Sequence, residues 1–246
     1  MDRLGYIAMT GATQTMVAQA VVSNNLANAS TTGFRAELVG ATSAPIYGDT
    51  HASRVNVVNS GYGADFAEGA LISTGRDLDV AVNGEGFIAV QADDGTEAYT
   101  RAGDLFVDTF GILRNSGGHA VMGDGGPVAI PPSNSLTIGG DGTVSVVPLG
   151  QPANALAVVD RIRLVNPDTA ELERGRDGLF RLKGGAPAQA DAAVTIVTGA
   201  LESSNVNAAA ALVNMIELSR MYEMQVKMIE TARDDADQAA ALMRMR

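Results

Sequence analysis

The side chains that could perform metal or nucleophilic chemistry are few in this sequence. Cysteine is absent, which excludes a thiolate nucleophile, a zinc–thiolate site and a disulfide. The two histidines, His51 and His119, stand far apart along the chain and lack the spacing of a metal-binding motif. We therefore expect structural roles for both histidines and predict no metal-binding residues.

Acidic and glycine-containing stretches offer two weaker candidates. Four aspartates could supply oxygen ligands to calcium, but the glycine and the bidentate glutamate of an EF-hand loop are missing at the required offsets. These aspartates are Asp77, Asp79, Asp93 and Asp94. The glycine fragments at 61–63 and 84–86 do not continue into a dinucleotide or phosphate fingerprint, and no Gly-x-Ser-x-Gly nucleophile elbow occurs. The sequence thus predicts no catalytic residue, no cofactor-binding residue and no enzymatic activity.

Composition narrows the possible partners. Of the 246 residues, 46% are hydrophobic and 18% are charged, which is ordinary for one or two domains that bury a core. The formal net charge of −11 argues against nucleic acid as a partner, because phosphates attract basic surfaces. No apolar run reaches the about 18 residues that a membrane span needs, and the first residues lack the pattern of a cleaved signal peptide. We therefore expect neither a membrane-spanning segment nor a cleaved signal peptide.

The C-terminal segment, residues 205–246, has the apolar spacing of an amphipathic helix. At about 100° per residue its apolar side chains cover roughly half of the circumference, which is wider than one heptad seam. This width predicts contact with more than one neighbouring helix, and therefore an assembly. Its methionines could form an adaptable ligand groove or fill irregular contacts between helices, and we favour the second. The residues predicted to pack between helices are Leu212, Met215, Leu218, Tyr222, Val226 and Ile229.

A second helix is predicted over residues 3–28, where apolar residues again recur at helical spacing. No charge follows Arg3 in this helix, although a solvated helix face normally carries charged residues. Its small residues and amides would allow neighbours to approach on several sides. The alternative is a core helix surrounded by its own chain. We expect the helix to end within 28–34, where Gly33 can adopt positive φ.

The middle of the chain has a different pattern. Residues 36–70 are predicted to be an extended connector with local strand character. Residues 71–199 contain short apolar runs separated by turn residues, which is typical of an antiparallel sandwich or barrel. The predicted strands are 79–82, 87–90, 97–100, 105–108, 119–122, 143–147, 156–165 and 194–197. The predicted fold class is α+β. Its N- and C-terminal helices, in 1–35 and 200–246, pair as a discontinuous, coiled-coil-like helical domain, and a mostly antiparallel β domain is inserted between them.

Three blocks of this sequence resemble a known family. The first is NNLANASTTGFR at 24–35, preceded by MDRL at 1–4 and AMTGA at 8–12. The second is DLDVAVNGEGF at 77–87 with YTRAG at 99–103, and the third is SNV at 204–206 with LVNMI at 212–216 and YE at 222–223. In this order they are similar to the bacterial flagellar rod and hook proteins, and the opening residues most resemble the proximal rod members.

The resemblance implies a structural subunit of the flagellar basal-body rod, a torque-transmitting hollow shaft needed for motility. Both helices would form the inner tube and the β domain would lie outside. The implied partners are other rod proteins, proximal and distal, in a helical hetero-assembly, and the flagellar type III export apparatus. The implied location is the periplasmic rod. The implied assembly-motif residues are Asn24, Asn25, Leu26, Ala27, Asn28, Thr31, Gly33 and Phe34.

Two alternatives remain open at this point. One is a distal rod or hook subunit of the same family, although the length disfavours the hook and the first twelve residues disfavour the distal rod. The other is a glycan-binding or hydrolytic β-domain protein of the cell wall, whose acidic pair would need spatial separations that a sequence does not give.

Overall fold

A computed structural model describes residues 4–45, 55–152 and 155–244. Its two helices are α1, Leu4–Ala27, and α2, Ala208–Arg244. The strands are β1 Glu37–Pro45, β2 Val55–Ala64, β3 Leu71–Ser73, β4 Val80–Asn83, β5 Phe87–Gln91, β6 Glu97–Thr100, β7 Leu105–Val107, β8 Leu113–Asn115, β9 Ala120–Val121, β10 Ser133–Ile138, β11 Thr143–Pro148, β12 Ala157–Arg161, β13 Leu164–Val165, β14 Leu172–Arg174, β15 Phe180–Leu182, β16 Thr195–Thr198 and β17 Ala200–Glu202. The α+β class is therefore confirmed.

The chain divides into two compact units. The first, which we call the helical unit, contains Met1–Ala29, Ala36–Asp65 and Val206–Arg246. The second, which we call the β unit, contains Ser30–Arg35 and Phe66–Asn205. The chain consequently crosses between the units four times.

In the helical unit, α1 packs against α2 and also against β1 and β2. The expectation that the N- and C-terminal helices pack against each other is confirmed, and α1, Leu4–Ala27, agrees within one residue with its predicted bounds. Hydroxyl groups inside α1 donate to carbonyls three or four residues earlier, for example Thr10 Oγ1 to Ile7 O at 2.8 Å and Thr15 Oγ1 to Gly11 O at 2.9 Å. The helix thereby satisfies these hydroxyl groups with its own backbone carbonyls.

The predicted connector contains more order than an extended segment. Strands β1 and β2 pair antiparallel from Glu37 opposite Ala64 to Pro45 opposite Val55, with a register shift between Gly40 and Ala41. Local strand character was predicted for this segment, but the pairing of its two strands was not. Glycine, alanine and serine interrupt any alternation of polar and apolar residues here, so sequence periodicity gives no signal. His51 lies outside the described residues.

In the β unit every strand pairing is antiparallel, as predicted. One eight-stranded sheet has the order β14-β15-β6-β5-β9-β8-β7, with β13 pairing β5. A three-stranded sheet has the order β10-β11-β12, and β16-β4 and β17-β3 form two-stranded pairs. The apolar core includes the fully buried residues Val80, Ile88, Val90, Leu105, Leu113, Val121, Val128 and Val144.

Several strands of the β unit differ from the sequence prediction, which placed no strand at β3, β8, β14, β15 or β17. The single strand expected at 156–165 is two strands, because the chain leaves β12 after Arg161 and joins a different sheet at Leu164. Strand β10 was missed, since Ser133, Asn134, Ser135 and Thr137 read as turn-forming polar residues. Among the described residues, neither helix is long and apolar enough to cross a membrane.

Candidate assembly surfaces

The outward side of α1 carries an uncharged row of exposed side chains, which we call the outer stripe. Its members follow one another at alternating steps of three and four residues, the spacing of a heptad seam. They are Tyr6, Met9, Thr13, Met16, Ala20, Ser23 and Ala27. Buried residues such as Ala8, Ala12 and Thr15 lie on the remaining sides of the helix, so α1 has one covered face and one open face. Neither face carries an acidic or basic residue.

Helix α2 also has two faces. Five of the six residues predicted to pack between helices are half-buried and follow three- and four-residue steps, namely Met215, Leu218, Tyr222, Val226 and Ile229. This row lies on the side of α2 that is covered, and α1 is the element with which α2 packs. The sixth, Leu212, is exposed on the other side.

The large exposed apolar residues of α2 between positions 208 and 228 form what we call its outer face. They are Leu212, Val213, Ile216, Met221, Met224 and Met228. At about 100° per residue they spread over roughly half of the circumference, interspersed with Arg220 and Lys227. The wide apolar arc found in the sequence is therefore two surfaces, of which one faces α1 and the other faces solvent.

The two helices approach closely near the middle of α1. A Cβ added at Gly11 would lie 3.1 Å from the side-chain amide of Gln225, so glycine permits the short separation. Further along, a groove of about 260 Å³ opens between the helices, lined by Met16, Gln19, Ala20, Ser23 and Met215. Two methionines and small residues give it flexible apolar walls.

The asparagines of the predicted assembly motif hold the end of α1. Asn25 accepts from the backbone of Glu37 through Oδ1 and donates to its carbonyl through Nδ2, both at 2.8 Å. Asn24 Nδ2 donates to the Glu37 carboxylate at 2.9 Å, and Asn28 Nδ2 donates to Asn24 O at 2.9 Å. These side chains therefore fasten α1 to the start of β1. Of their neighbours, Leu26 is half-buried and Ala27 is exposed.

The remaining motif residues lie in the β unit. Gly33 has φ of 66°, and its amide donates to Glu202 O at 2.8 Å. Phe34 is buried, and the guanidinium of Arg174 stacks 4.4 Å from its ring centroid. Thr31 accepts the Phe34 amide at its carbonyl oxygen, at 3.3 Å. The motif that is continuous in sequence thus has two structural roles, with residues 24–28 holding the helix end and residues 31–34 anchored in the β unit.

A buried ionic group next to Phe34 was not identified from the sequence. Arg35 and Arg101 both contact the Glu202 carboxylate, at 2.6 Å and 3.1 Å. Burial lowers the pKa of Arg101, and the neighbouring Glu202 carboxylate opposes that change. The only signal in the sequence was that both arginines belong to the two family-like blocks, at 24–35 and 99–103.

The candidate chemical residues remain scattered. Asp79 pairs with Arg76 at 3.4 Å, and Asp94 accepts hydrogen bonds from Thr96, which lower its pKa. His119 Nδ1 lies 3.6 Å from the exposed Asp93 carboxylate. Within the described ranges, no cluster of three or more acidic, histidine or cysteine residues could hold a metal ion. Gly84, with φ of 76°, forms the turn between β4 and β5.

Three family models match the chain in sequence order. The first, "Flagella basal body rod protein", matches residues 6–35, which include most of α1 and the whole assembly motif. The second, "Flagellar hook protein FlgE/F/G D1 domain", matches residues 81–146 in the β unit. The third, "Flagellar basal body rod FlgEFG protein C-terminal", matches residues 197–242, which include most of α2.

Full-length relatives give the same result. The chain is 44% identical over 251 residues to the flagellar basal-body rod protein FlgF of Escherichia coli (strain K12), covering 100% of both chains. It is 36% identical over 217 residues to FlgF of Caulobacter vibrioides, covering 85% of each. It is 31% identical over 235 residues to the rod protein FlgG of Bacillus subtilis, covering 86% of this chain and 88% of that relative. The likeness therefore includes both helices and the β unit.

Proposed function

Because the chain belongs to the family of flagellar basal-body rod proteins, we propose that its two helices are the parts that build the shaft. The protein is a structural subunit of the rod, and its relatives carry the names of rod proteins. Its mechanism is mechanical: helices of successive subunits interlock, so that axial and torsional load is shared over many apolar contacts. No step of this mechanism requires a catalytic residue or a cofactor.

The observation that supports this most strongly is the outer stripe of α1. Its seven exposed residues include no charge, whereas roughly a quarter or more of an ordinary protein surface is charged. Its alternating three- and four-residue steps match the seam of a coiled coil, and the covered face of the same helix is already occupied within the subunit. The outer stripe is therefore the proposed contact with a helix of a neighbouring subunit.

The outer face of α2 supports the same proposal. A 37-residue helix is about 56 Å long, whereas the 24 residues of α1 span about 36 Å. About 20 Å of α2 therefore has no length of α1 beside it. Leu242 and Met243, near the C-terminal end of α2, are strongly exposed. Neighbouring subunits would cover this length, and methionine suits contacts that differ slightly between neighbours.

We propose the following division of labour. Residues 1–35 and 200–246 form the tube-building part, with coiled-coil-like packing between helices. Residues 36–70 connect that part to the outer β domain, residues 71–199. The proposed packing residues of α2 are the half-buried row together with Leu212, and the proposed assembly motif is residues 24–34 as described above. Within this division, residues 30–35 and 200–205 belong to the compact β unit, whereas β1 and β2 belong to the helical unit.

Family membership places the protein in the flagellar basal body, together with other rod proteins. A position in the proximal rod is our proposal, supported by the 44% identity to the Escherichia coli FlgF over the whole chain, against 31% to the Bacillus subtilis FlgG. We further propose that this part of the rod lies in the periplasm, that both proximal and distal rod proteins are its neighbours, and that the flagellar type III apparatus exports it. These last points rest on the family resemblance.

Deletion and complementation test the function directly. A strain that lacks the gene should neither swim nor assemble complete basal bodies, and a plasmid copy of the full chain should restore both. The readouts are spreading in soft agar and electron microscopy of isolated basal bodies. A deletion strain with normal swimming and intact basal bodies would refute the proposed function.

A further inference from the structure

All four passages of the chain between its two units converge at one buried place in the β unit, which we call the junction. It contains Gly33–Arg35 from the first two passages, Ala67–Ala70 from the third, and Glu202–Asn205 from the fourth, together with Arg101. Residues 30–35 lie between the first two passages, Phe66 follows the third, and Asn205 precedes the fourth.

Backbone hydrogen bonds connect the three segments of the junction. The Gly33 amide donates to Glu202 O at 2.8 Å, and the Asn205 amide donates to Phe34 O at 3.3 Å. Asn205 also donates through Nδ2 to Ala67 O at 3.0 Å, and the Ser203 amide donates to Ala70 O at 2.9 Å. Each passage is thus bonded to at least one other.

The Glu202 side chain is the centre of this network. Its Oε1 lies 2.6 Å from Arg35 Nη1 and accepts the Gly69 amide at 2.8 Å, while its Oε2 accepts Arg101 Nη1 at 3.1 Å. The Glu202 carboxylate therefore contacts three residues that each lie more than a hundred positions before it in the chain; Gly69, for example, is 133 positions away.

Burial and charge balance make this carboxylate hard to replace. The side chains of Arg35, Glu202 and Arg101 are 0%, 1% and 4% exposed, so two buried cations face one buried anion. Nε and Nη2 of Arg35 have no hydrogen-bond acceptor among the described residues. Removing one partner of a buried ion pair leaves a desolvated charge without compensation, which is strongly unfavourable. Arg35 therefore depends on Glu202 for its compensation.

Glycine is required at two of the bonded positions. A Cβ at Gly33 would lie 2.3 Å from the carbonyl carbon of Arg101, and a Cβ at Gly69 would lie 1.9 Å from Ser203 O. Contacts this short do not occur for real Cβ atoms. The backbone segments are therefore as close as hydrogen bonding allows, with no side chain between them.

We propose that Glu202 is a positioning residue that fixes the spacing of the four passages, so that the attachment points of α1 and α2 are set before assembly. This inference rests on the proposed rod function, to which it adds a residue outside both helices. A preorganised subunit loses less conformational freedom when it joins a neighbour than a loosely connected one does.

The test compares E202Q with E173Q in the purified full-length chain. Gln keeps the shape of Glu202 but removes its charge, and Glu173 is an exposed residue of β14 that serves as the matched control. Trypsin cleaves after arginine only when that side chain is accessible, so cutting after Arg35 reports on the junction. Hydrogen exchange at the Gly33 and Gly69 amides reports on it independently, with β5 amides as the reference for the core.

We expect E202Q to raise both the cleavage rate after Arg35 and the exchange rates of Gly33 and Gly69 at least tenfold, with β5 exchange unchanged and E173Q like wild type. If the junction rates stay at wild-type values, or if β5 exchange rises by the same factor, the proposal is wrong. Should E202Q fail to fold, R35M leaves a balanced Arg101–Glu202 pair. In R35M the exchange rate of the Gly33 amide should rise above its wild-type value while the exchange rates of the β5 amides stay unchanged. An unchanged Gly33 rate, or an equal rise at Gly33 and β5, would overturn the proposal. None of these readouts depends on rod assembly, so they are separate from the deletion test.

Discussion

Replacing Met16 by aspartate should separate folding of the subunit from its assembly. Met16 is 56% exposed, lies in the middle of the outer stripe and lines the groove next to Met215. In the isolated chain the new carboxylate would reach water, so the M16D variant should lose no more than about 1 kcal/mol of stability, most of it through lower helix propensity. Its circular dichroism and thermal melting should stay close to those of wild type.

In an assembled shaft the same substitution should be costly. Full burial of a methionine side chain contributes about 1.5–3 kcal/mol, of which the exposed 56% of Met16 would supply about 1–1.5 kcal/mol on contact with a neighbour. An unpaired carboxylate enclosed in an apolar contact adds roughly 3–5 kcal/mol more. The sum of about 4–6 kcal/mol corresponds to a contact weakened about 10³- to 10⁴-fold.

The assay is complementation of a deletion strain by wild-type, M16D and S135D alleles. Ser135 is an exposed residue of β10 in the β unit, so S135D adds the same charge at a polar position outside both helices and serves as the control. M16D should fail to restore swimming and basal bodies although the protein accumulates and melts normally, while S135D should restore both. If M16D assembled like wild type, the outer stripe would not face a neighbour. If M16D unfolded the free subunit, the stripe would be covered within its own chain.

Three further predictions concern other parts of the molecule. I229D places a charge in the half-buried row of α2 and should lower helicity and prevent assembly, while the β unit keeps its protease resistance; an unchanged yield of rods would contradict this. G33A combines positive φ with a Cβ only 2.3 Å from the Arg101 backbone, so it should cost about 3 kcal/mol or more in denaturant unfolding, and a near-neutral result would show that the junction can relax. Burial raises the pKa of Tyr99 from 10.0 to about 12, so the folded chain holds the phenolic proton more tightly than the unfolded chain and loses that stability as pH rises from 10.0 towards about 12. Y99F should flatten the alkaline limb of a stability–pH curve, and a limb identical to wild type would refute the assignment.

The helices were predictable because their signals are local. Spacing of apolar residues placed α1 within one residue of Leu4–Ala27, and the glycine at 33 correctly marked the end region. The sequence also showed that the apolar arc of α2 is too wide for one seam. It could not show which half meets α1, since both halves contain the same residue types. That distinction depends on contacts between residues about 200 positions apart.

The β unit was predictable in class but not in every strand. Strand β6 was predicted with its observed bounds, because Glu97–Thr100 lies between clear turn residues. The pairing of β1 with β2 was missed, and so was the junction. Arg35, Arg101 and Glu202 look like ordinary surface residues in sequence, since charged side chains are rarely buried unless paired. Only the folded chain shows that the Glu202 carboxylate compensates both buried arginines.

The long separation of the two helices along the chain also determines how long α1 must wait for α2. Helix α1 ends at Ala27 and α2 begins at Ala208, so any machine that threads the polypeptide from its N-terminus delivers the two partners far apart in time. At ribosomal speeds of 5–20 residues per second, about 9–36 seconds separate them. Throughout that interval α2 does not cover α1, and the uncharged surface of α1 stays exposed and able to associate with other apolar surfaces. The subunit thus becomes complete only when nearly its last residue has been delivered.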